Sequence, residues 1–423
     1  MWSRLHITRD VVVLYAAQVV QVIISFVSSV ILARWLGKEA QGEVTLYNTA
    51  LSFLILVTTL GVPAALVYFL SSHQLRKQQF FFILSLTTTV AMVIAILLLL
   101  NNWFVFPEFF PSFFNEHPLW LLVLLLHSLI AITQQITIAI LQVERHFIRQ
   151  SIIQILGNSL YLITLWALYF SDAQPIFAWV IAAMIANIVL QLLIMYKHLW
   201  SKQREYLRME KIPKNSLKIF LGFGLLAFVT NLIQFMNYKM DVWFLNHYFN
   251  NKGMIGVYAV AVSLAQMFWL FPQAMQTVLF QRISSDTSQS AQWRLAMNQA
   301  KTIFLYVSVL ALPAYFLAEF FIPLFYGEAY QETVHLFQWL LVAVLPFCLT
   351  MPISAYFAGT GRVRVNLYSA MLGFVVCFLA NWFFIPKLQT LGAVWSSILS
   401  YGATTLFLLI MFYFERSKTE SPN

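Results

Sequence analysis

Twelve apolar stretches free of Asp, Glu, Lys and Arg run almost end to end through the 423 residues. They are Val11–Ala33, Val44–Ser72, Gln78–Pro107, Pro118–Val143, Gln150–Ser171, Ala173–Tyr196, Ile219–Tyr238, Gly253–Gln281, Thr302–Ala318, Thr333–Gly361, Val365–Pro386 and Leu388–Phe414. A helix rising about 1.5 Å per residue needs about 20 residues to cross a hydrocarbon core of about 30 Å, and nearly every stretch qualifies. With 61% hydrophobic and 10% charged residues, a soluble fold has too little polar surface to enclose this chain. The polar–apolar alternation of a membrane β-barrel is absent. The sequence therefore reads as an all-α polytopic membrane protein with twelve transmembrane helices.

Loop charges give an orientation. Numbering the gaps between stretches, one side of the membrane receives twenty Lys and Arg, and the other five: Arg34, Lys38, Lys239, Lys252 and Lys387. The excess predicts that both termini are cytoplasmic. The same asymmetry accounts for the net charge of +9, which is no sign of nucleic-acid binding in a chain without a soluble basic domain. Val11–Ala33 is too long for a signal-peptide core and lacks a small-residue cleavage site, so it reads as a permanent helix. Cys348 and Cys377 fall inside spans, without metal-ligand spacing, and read as apolar packing residues. No metal or cofactor is expected.

The chain also repeats itself. A shift of 216 residues lays Phe104 on Phe320, Pro107 on Pro323, Ala139 on Ala355 and Leu156-Gly157 on Leu372-Gly373. It lays Trp166 on Trp382, Trp179 on Trp395, and Leu192-Leu193-Ile194-Met195 on Leu408-Leu409-Ile410-Met411. Leucine matches are common in such a composition; two Trp pairs and a Pro pair in one register are not. Two six-helix lobes follow, residues 1–200 and 217–423, joined by a polar connector at 201–216. Parallel repeats of this kind hold substrate between the lobes and alternate access by rocking one against the other.

Several local motifs occur in a definite order. Leu32-Ala33-Arg34-Trp35-Leu36-Gly37-Lys38-Glu39-Ala40-Gln41-Gly42 follows the first span, and Gly61-Val62-Pro63 lies in the second. Asp241-Val242-Trp243-Phe244-Leu245, Ile255 to Ala261 and Pro272 mark the seventh and eighth. Phe325 to Tyr330, Ile385-Pro386-Lys387 and Leu391-Gly392-Ala393-Val394 mark the last three. The whole chain resembles the polysaccharide-transporter branch of the multidrug/oligosaccharidyl-lipid/polysaccharide exporter superfamily, which includes O-antigen and teichuronic-acid flippases. The resemblance implies a MATE-like fold around a central cavity. It also implies flipping of an undecaprenyl-pyrophosphate-linked oligosaccharide to the outer leaflet for surface polysaccharide synthesis, with a polysaccharide polymerase as a potential partner.

A sugar head group needs a polar path through hydrocarbon, where polar side chains are costly. The seventh span carries Asn231, Gln234, Tyr238 and Asp241 on one helical face. The first carries Gln18, Gln21, Ser25 and Ser28; the second carries Asn48 and Ser52 between Thr45 and Thr59; the eighth carries Ser263, Gln266, Gln273 and Gln276. The fourth contributes His127, Gln134 and Gln135. Amides, hydroxyls and neighbouring aromatics suit sugar rings. The competing reading, interhelical packing glue, holds for any one of them; four stripes on spans that line the cavity in the resembled family favour the lumen.

Two sets of charges stand out. Arg34 occupies in the first lobe the place that Asp241, with Lys239 beside it, occupies in the second; the rise from Lys218 puts Asp241 about 34 Å along its helix, near the outer headgroups. They read either as interfacial charges or as a gate at the outer mouth. Arg145, Arg149, Arg362 and Arg364 form two basic clusters at repeat-related loops, fit to hold a pyrophosphate, although positive-inside topology alone also places arginines there. Nucleotide-binding loops, HExxH motifs and Cys pairs are absent, so an enzyme is not expected. A cation-coupled drug antiporter would carry an acid deep in the first helix, where none lies between Asp10 and Glu39; a polymerase or ligase would need a large outer loop.

Overall fold

The structure is a computed structural model that describes residues 9–71, 74–104, 119–144, 146–171, 177–202, 204–285 and 288–420. Among these residues every regular element is a helix, in the order α1 (Arg9–Thr59), α2 (Val62–Ser71), α3 (Phe80–Phe104), α4 (Leu119–Val143), α5 (Phe147–Phe170), α6 (Phe177–Lys202), α7 (Lys214–Phe249), α8 (Lys252–Gln266), α9 (Leu270–Ser285), α10 (Gln289–Tyr326), α11 (Gln331–Phe347), α12 (Thr350–Gly359) and α13 (Val363–Glu420). The all-α membrane architecture expected from the sequence is what the chain adopts.

Ten helical segments among the described residues are long and apolar enough to cross a membrane, against twelve stretches in the sequence. The difference lies in α1 and α13, whose candidate spans run 44 and 53 residues. A straight helix of the latter length would extend about 80 Å, more than twice the hydrocarbon thickness. Each is interrupted by one residue with non-helical backbone, Gly37 (φ 76°) in α1 and Gln389 (φ 54°) in α13. Gly37 falls in the loop between the first two stretches, and Gln389 falls two residues past Lys387, which separates the last two. Large apolar side chains such as Leu226 and Phe316 stand 65% and 69% exposed, the surface that lipid covers in a polytopic protein.

Several spans are discontinuous. The second breaks between α1 and α2 at Leu60 and Gly61, both at positive φ. The eighth breaks between α8 and α9 in a 3-10 turn over Met267–Trp269, just ahead of Pro272. Half-helices of this kind occur around the transport sites of secondary transporters, where freed backbone groups face a polar path.

The chain divides into two compact units, residues 1–36 with 46–232 and residues 37–45 with 233–423. The sequence puts the joint in the connector at 201–216; the units divide inside α7. The reason lies in packing. Early α7 belongs to the first unit because Phe220 meets Phe69 (centroids 5.7 Å apart), Phe223 stacks on Tyr68 (4.8 Å), and Gly224 leaves room for the Gly61 turn. Residues 37–45 belong to the second because Gly42 and Gly256, lacking Cβ atoms, let the backbones of Lys252 and Lys38 approach. An ion pair from Lys252 Nζ to Glu43 Oε1, 2.8 Å, closes this joint.

In the first unit one core forms around Leu66, Phe69, Phe80, Ile132, Ile136 and Tyr206, and another around Tyr47, Leu54, Leu124 and Ile181. The second unit packs Leu279, Ile283, Ile353, Tyr356, Phe357 and Phe412 together.

Candidate functional site

In the first unit two of the amides expected on a lumen, Gln134 and Gln21, pair with amides from other helices. Gln134 Nε2 donates to Gln191 Oε1 (2.6 Å), Gln191 Nε2 to Asn187 Oδ1 (2.7 Å), and Asn187 Nδ2 to Asn158 Oδ1 (3.3 Å). Gln21 Nε2 donates to Gln154 Oε1 at 3.3 Å. Gly157 makes the ladder possible, because a Cβ there would overlap Asn187 and Gln191. For Gln21 and Gln134 the glue role is therefore the one this geometry displays. Gln18 and Ser25 are exposed and Asn48 is half-buried.

His127, expected on the lumen, is instead 1% exposed. Its Nδ1 lies 3.0 Å from the Tyr47 hydroxyl, while Nε2 is buried with no partner. Phe177 closes the pair edge-on against the Tyr47 ring. A group so enclosed does not touch a substrate in this conformation.

The second unit holds the one charge of the seventh-span stripe. Asp241, which the sequence assigns to the headgroup level, is enclosed by protein and only 8% exposed. The Tyr258 hydroxyl donates to Asp241 Oδ2, and Val242 N–H donates to Oδ1 at 2.8 Å. Tyr258 comes from α8, within the quoted Ile255 to Ala261 motif. One turn before Asp241, Asn237 donates from Nδ2 to Ala370 O (3.2 Å), and its own carbonyl lies 4.0 Å from Cys377 Sγ. Asn381 Nδ2 reaches the same sulfur at 3.4 Å. The side-chain oxygens of Asn237 and Asn381 are buried with no donor, and Tyr401 is a near electrostatic neighbour of the carboxylate. A carboxylate held by a tyrosine hydroxyl and a backbone N–H offers oxygen donors, which suit a proton or a small hard cation and not a transition metal. No cluster of three or more His, Cys, Asp or Glu exists among the described residues.

On the rest of this stripe Asn231 and Gln234 are exposed, and Tyr238 pairs with Gln234 and packs 5.3 Å from the Trp269 ring. Gln273 is exposed and Gln266 half-buried. A face check at i and i+4 would have added Asn237 to Asp241; Tyr258, Asn381 and Tyr401 carry no such signal, since they arrive from other helices.

The remaining charges separate. Arg34 is exposed and belongs to the first unit, while Lys239 is half-buried beside Asp241 in the second. Arg362 forms an ion pair with Glu415. The Arg149 guanidinium lies against the His198 ring, 2.9 and 2.6 Å from its two nitrogens. Arg364 is exposed, and Arg145 lies outside the described residues. Nearby, Glu144 accepts from Lys77 Nζ (2.8 Å) and the Tyr206 hydroxyl (2.6 Å). Burial pushes the Glu144 carboxyl up, but these two donors and the charges of Lys77 and His146 outweigh it and hold it below the usual carboxylate range.

The model of the family described as polysaccharide biosynthesis protein matches residues 7–287, about two thirds of the sequence. The chain belongs to that family. Among solved structures it is similar to the lipid II flippase MurJ in an inward closed conformation (TM-score 0.75, 16% identity, covering 96% of this chain and 90% of that one). It is also similar to an inward-facing multidrug resistance MATE family transporter of the MOP superfamily (TM-score 0.70, 15% identity, 94% of each chain). A third is a MOP superfamily transporter from Pyrococcus furiosus (TM-score 0.67, 15% identity, 97% and 95%). No curated protein matches this chain. The polysaccharide biosynthesis protein described here is thus a multi-pass membrane protein with the MATE-like fold of MOP superfamily transporters.

Proposed function

We propose that the chain is a flippase that moves a polyprenyl-pyrophosphate-linked oligosaccharide from the cytoplasmic to the outer leaflet of a bacterial inner membrane, feeding surface polysaccharide synthesis. The observation that carries the proposal is the seventh span. Exposed Asn231 and Gln234 offer amides suited to sugar hydroxyls, and the same helix carries, further along, a buried carboxylate held by Tyr258. A polar, uncharged face with one enclosed acid suits a secondary transporter whose cargo is neutral where it touches the protein. The family to which the chain belongs supports polysaccharide chemistry, and the fold supports alternating access by rocking of two repeats.

Asp241 is the coupling group in this scheme: a cation or proton captured by the carboxylate would favour one arrangement of the transporter over the other. Exposed Arg364 collects the pyrophosphate at the basic mouth, while its neighbour Arg362 is held by Glu415. The joint of Gly42, Gly256 and the Glu43–Lys252 pair takes the gating role that the sequence assigns to Arg34 and Asp241.

The test is deletion of the gene followed by mass spectrometry of lipid extracts. Accumulation of a lipid-linked saccharide, cleared by complementation, is the expected result. An unchanged lipid profile together with raised sensitivity to cationic drugs would favour the second reading, a cation-coupled antiporter of the same superfamily. The buried Asp241 is the feature that keeps this reading in play.

A further inference from the structure

The first unit has a cleft of about 600 Å³ where the start of α5 meets the end of α6. Four nitrogen bases line it, His146, Arg149, Lys197 and His198, and none of its lining residues among those described is acidic. The nearest acid in sequence, Glu144, is already bound to Lys77 and Tyr206. The first turn of α5 carries no acidic residue, and its N-cap His146 makes no side-chain capping bond, so the cleft also receives the electropositive end of a 24-residue helix. Positive-inside topology explains basic residues in a loop, but not their convergence on one concave wall whose described lining residues include no acid.

The second repeat shows what the first lacks. Under the 216-residue shift His146 corresponds to Arg362, and Leu199 to Glu415. In the second unit these two form an internal ion pair, with Glu415 buried. In the first unit the acid's place is taken by buried Leu199. One repeat supplies its own anion; the other presents bases to an anion from outside.

An apolar track leaves the cleft. Ile148, Ile152 and Leu156 recur at i, i+4 and i+8 on one face of α5, are 38%, 52% and 48% exposed, and all belong to the cleft lining. Together they extend about 12 Å from the basic cluster toward the middle of the bilayer. A soluble phosphate has no use for such a track; an acyl chain does.

We propose that this cleft is a binding site for an anionic phospholipid, with its phosphate among Arg149, Lys197 and the two histidines and one acyl chain along Ile148, Ile152 and Leu156. Arg149, braced by the His198 ring, provides the fork for the phosphate oxygens; Lys197 provides a second charge from α6. The site tethers α5 to α6 within one unit and is independent of the cargo assigned above.

Native mass spectrometry of the purified full chain, titrated with phosphatidylglycerol, phosphatidylcholine or inorganic phosphate, tests the assignment. Phosphatidylglycerol should bind at one saturable site, phosphatidylcholine markedly less, and inorganic phosphate should not displace the lipid. Replacing Arg149 and Lys197 together by Gln should weaken phosphatidylglycerol binding at least about tenfold, as expected from about 1 kcal/mol per basic side chain near an anionic surface. The control Arg208→Gln with Lys218→Gln, two exposed bases outside the cleft, should bind as the parent does. Lys197→Gln alone, an exposed change that leaves packing intact, should give an intermediate loss. Equal binding by the Arg149/Lys197 variant and the control, equal affinity for phosphatidylcholine, or displacement by inorganic phosphate would each overturn the proposal.

Discussion

Gly157 and Gly373 occupy the same position in the two repeats, yet the space they leave is filled by different chemistry. At Gly157 the α6 amides Asn187 and Gln191 move in and extend a neutral ladder to Gln134 and Asn158. At Gly373 the visitors are Thr404, Ser400 and Asn237, with the Asp241–Tyr258 pair one turn further along α7. Duplication preserved the close helix crossing, because a missing Cβ is a property of the backbone path. It left the polar load free to diverge, one repeat toward hydrogen-bonded packing and the other toward a buried charge held by a tyrosine. Under the proposed function the first site serves cohesion and the second coupling.

The largest effect should separate these roles. Asp241→Asn keeps the shape and an acceptor for Tyr258 but removes the charge, and should abolish transport while the protein still reaches the membrane. Gln191→Leu, the comparable change in the ladder, should leave transport nearly intact and cost about 0.6 kcal/mol of stability, at most about 1.7. A complementation assay read beside membrane protein levels checks both; equal losses in the two variants would erase the distinction. Next in size, Gly157→Val and Gly373→Val should each cost about 1–3 kcal/mol through overpacking, measured by thermal unfolding in detergent. A tolerated valine at either site would mean that the shared crossing is not what the repeats preserved.

The smallest effect concerns pH. Glu144 is held below the usual carboxylate range in the folded chain, so its stabilisation is fully present above the unfolded value of about 4.3 and is lost as pH falls through the folded one. Glu144→Gln should therefore be less stable than the parent at neutral pH, with the difference narrowing on acidification. A difference that stays constant from neutral to acid pH would remove the ion pair from the stability of the first unit.

The spans, the repeat and the family were legible because each is written along the chain: apolar length, Trp and Pro pairs at a fixed offset, motifs in order. The site was legible only in part. Asn231, Gln234 and Tyr238 share a face by spacing alone, but the depth of Asp241, counted as helical rise from Lys218, missed that Tyr258 from the next helix encloses it. Gln134 and Gln21 looked like lumen residues because a one-dimensional stripe cannot show that α6 and α5 bring amides to meet them. The Arg362–Glu415 pair joins residues far apart in sequence, and the basic loop alone gave no hint that one of its arginines already has an anion.

The most direct measurement is the leaflet distribution of the lipid-linked saccharide in spheroplasts, read with a membrane-impermeant periodate. The comparison spans the deletion strain, the complemented strain and the strain carrying Asp241→Asn. The account predicts that the saccharide is shielded in the deletion and Asp241→Asn strains and oxidised in the complemented one. The same oxidised fraction in all three, with the protein present in the membranes of the latter two, would contradict it.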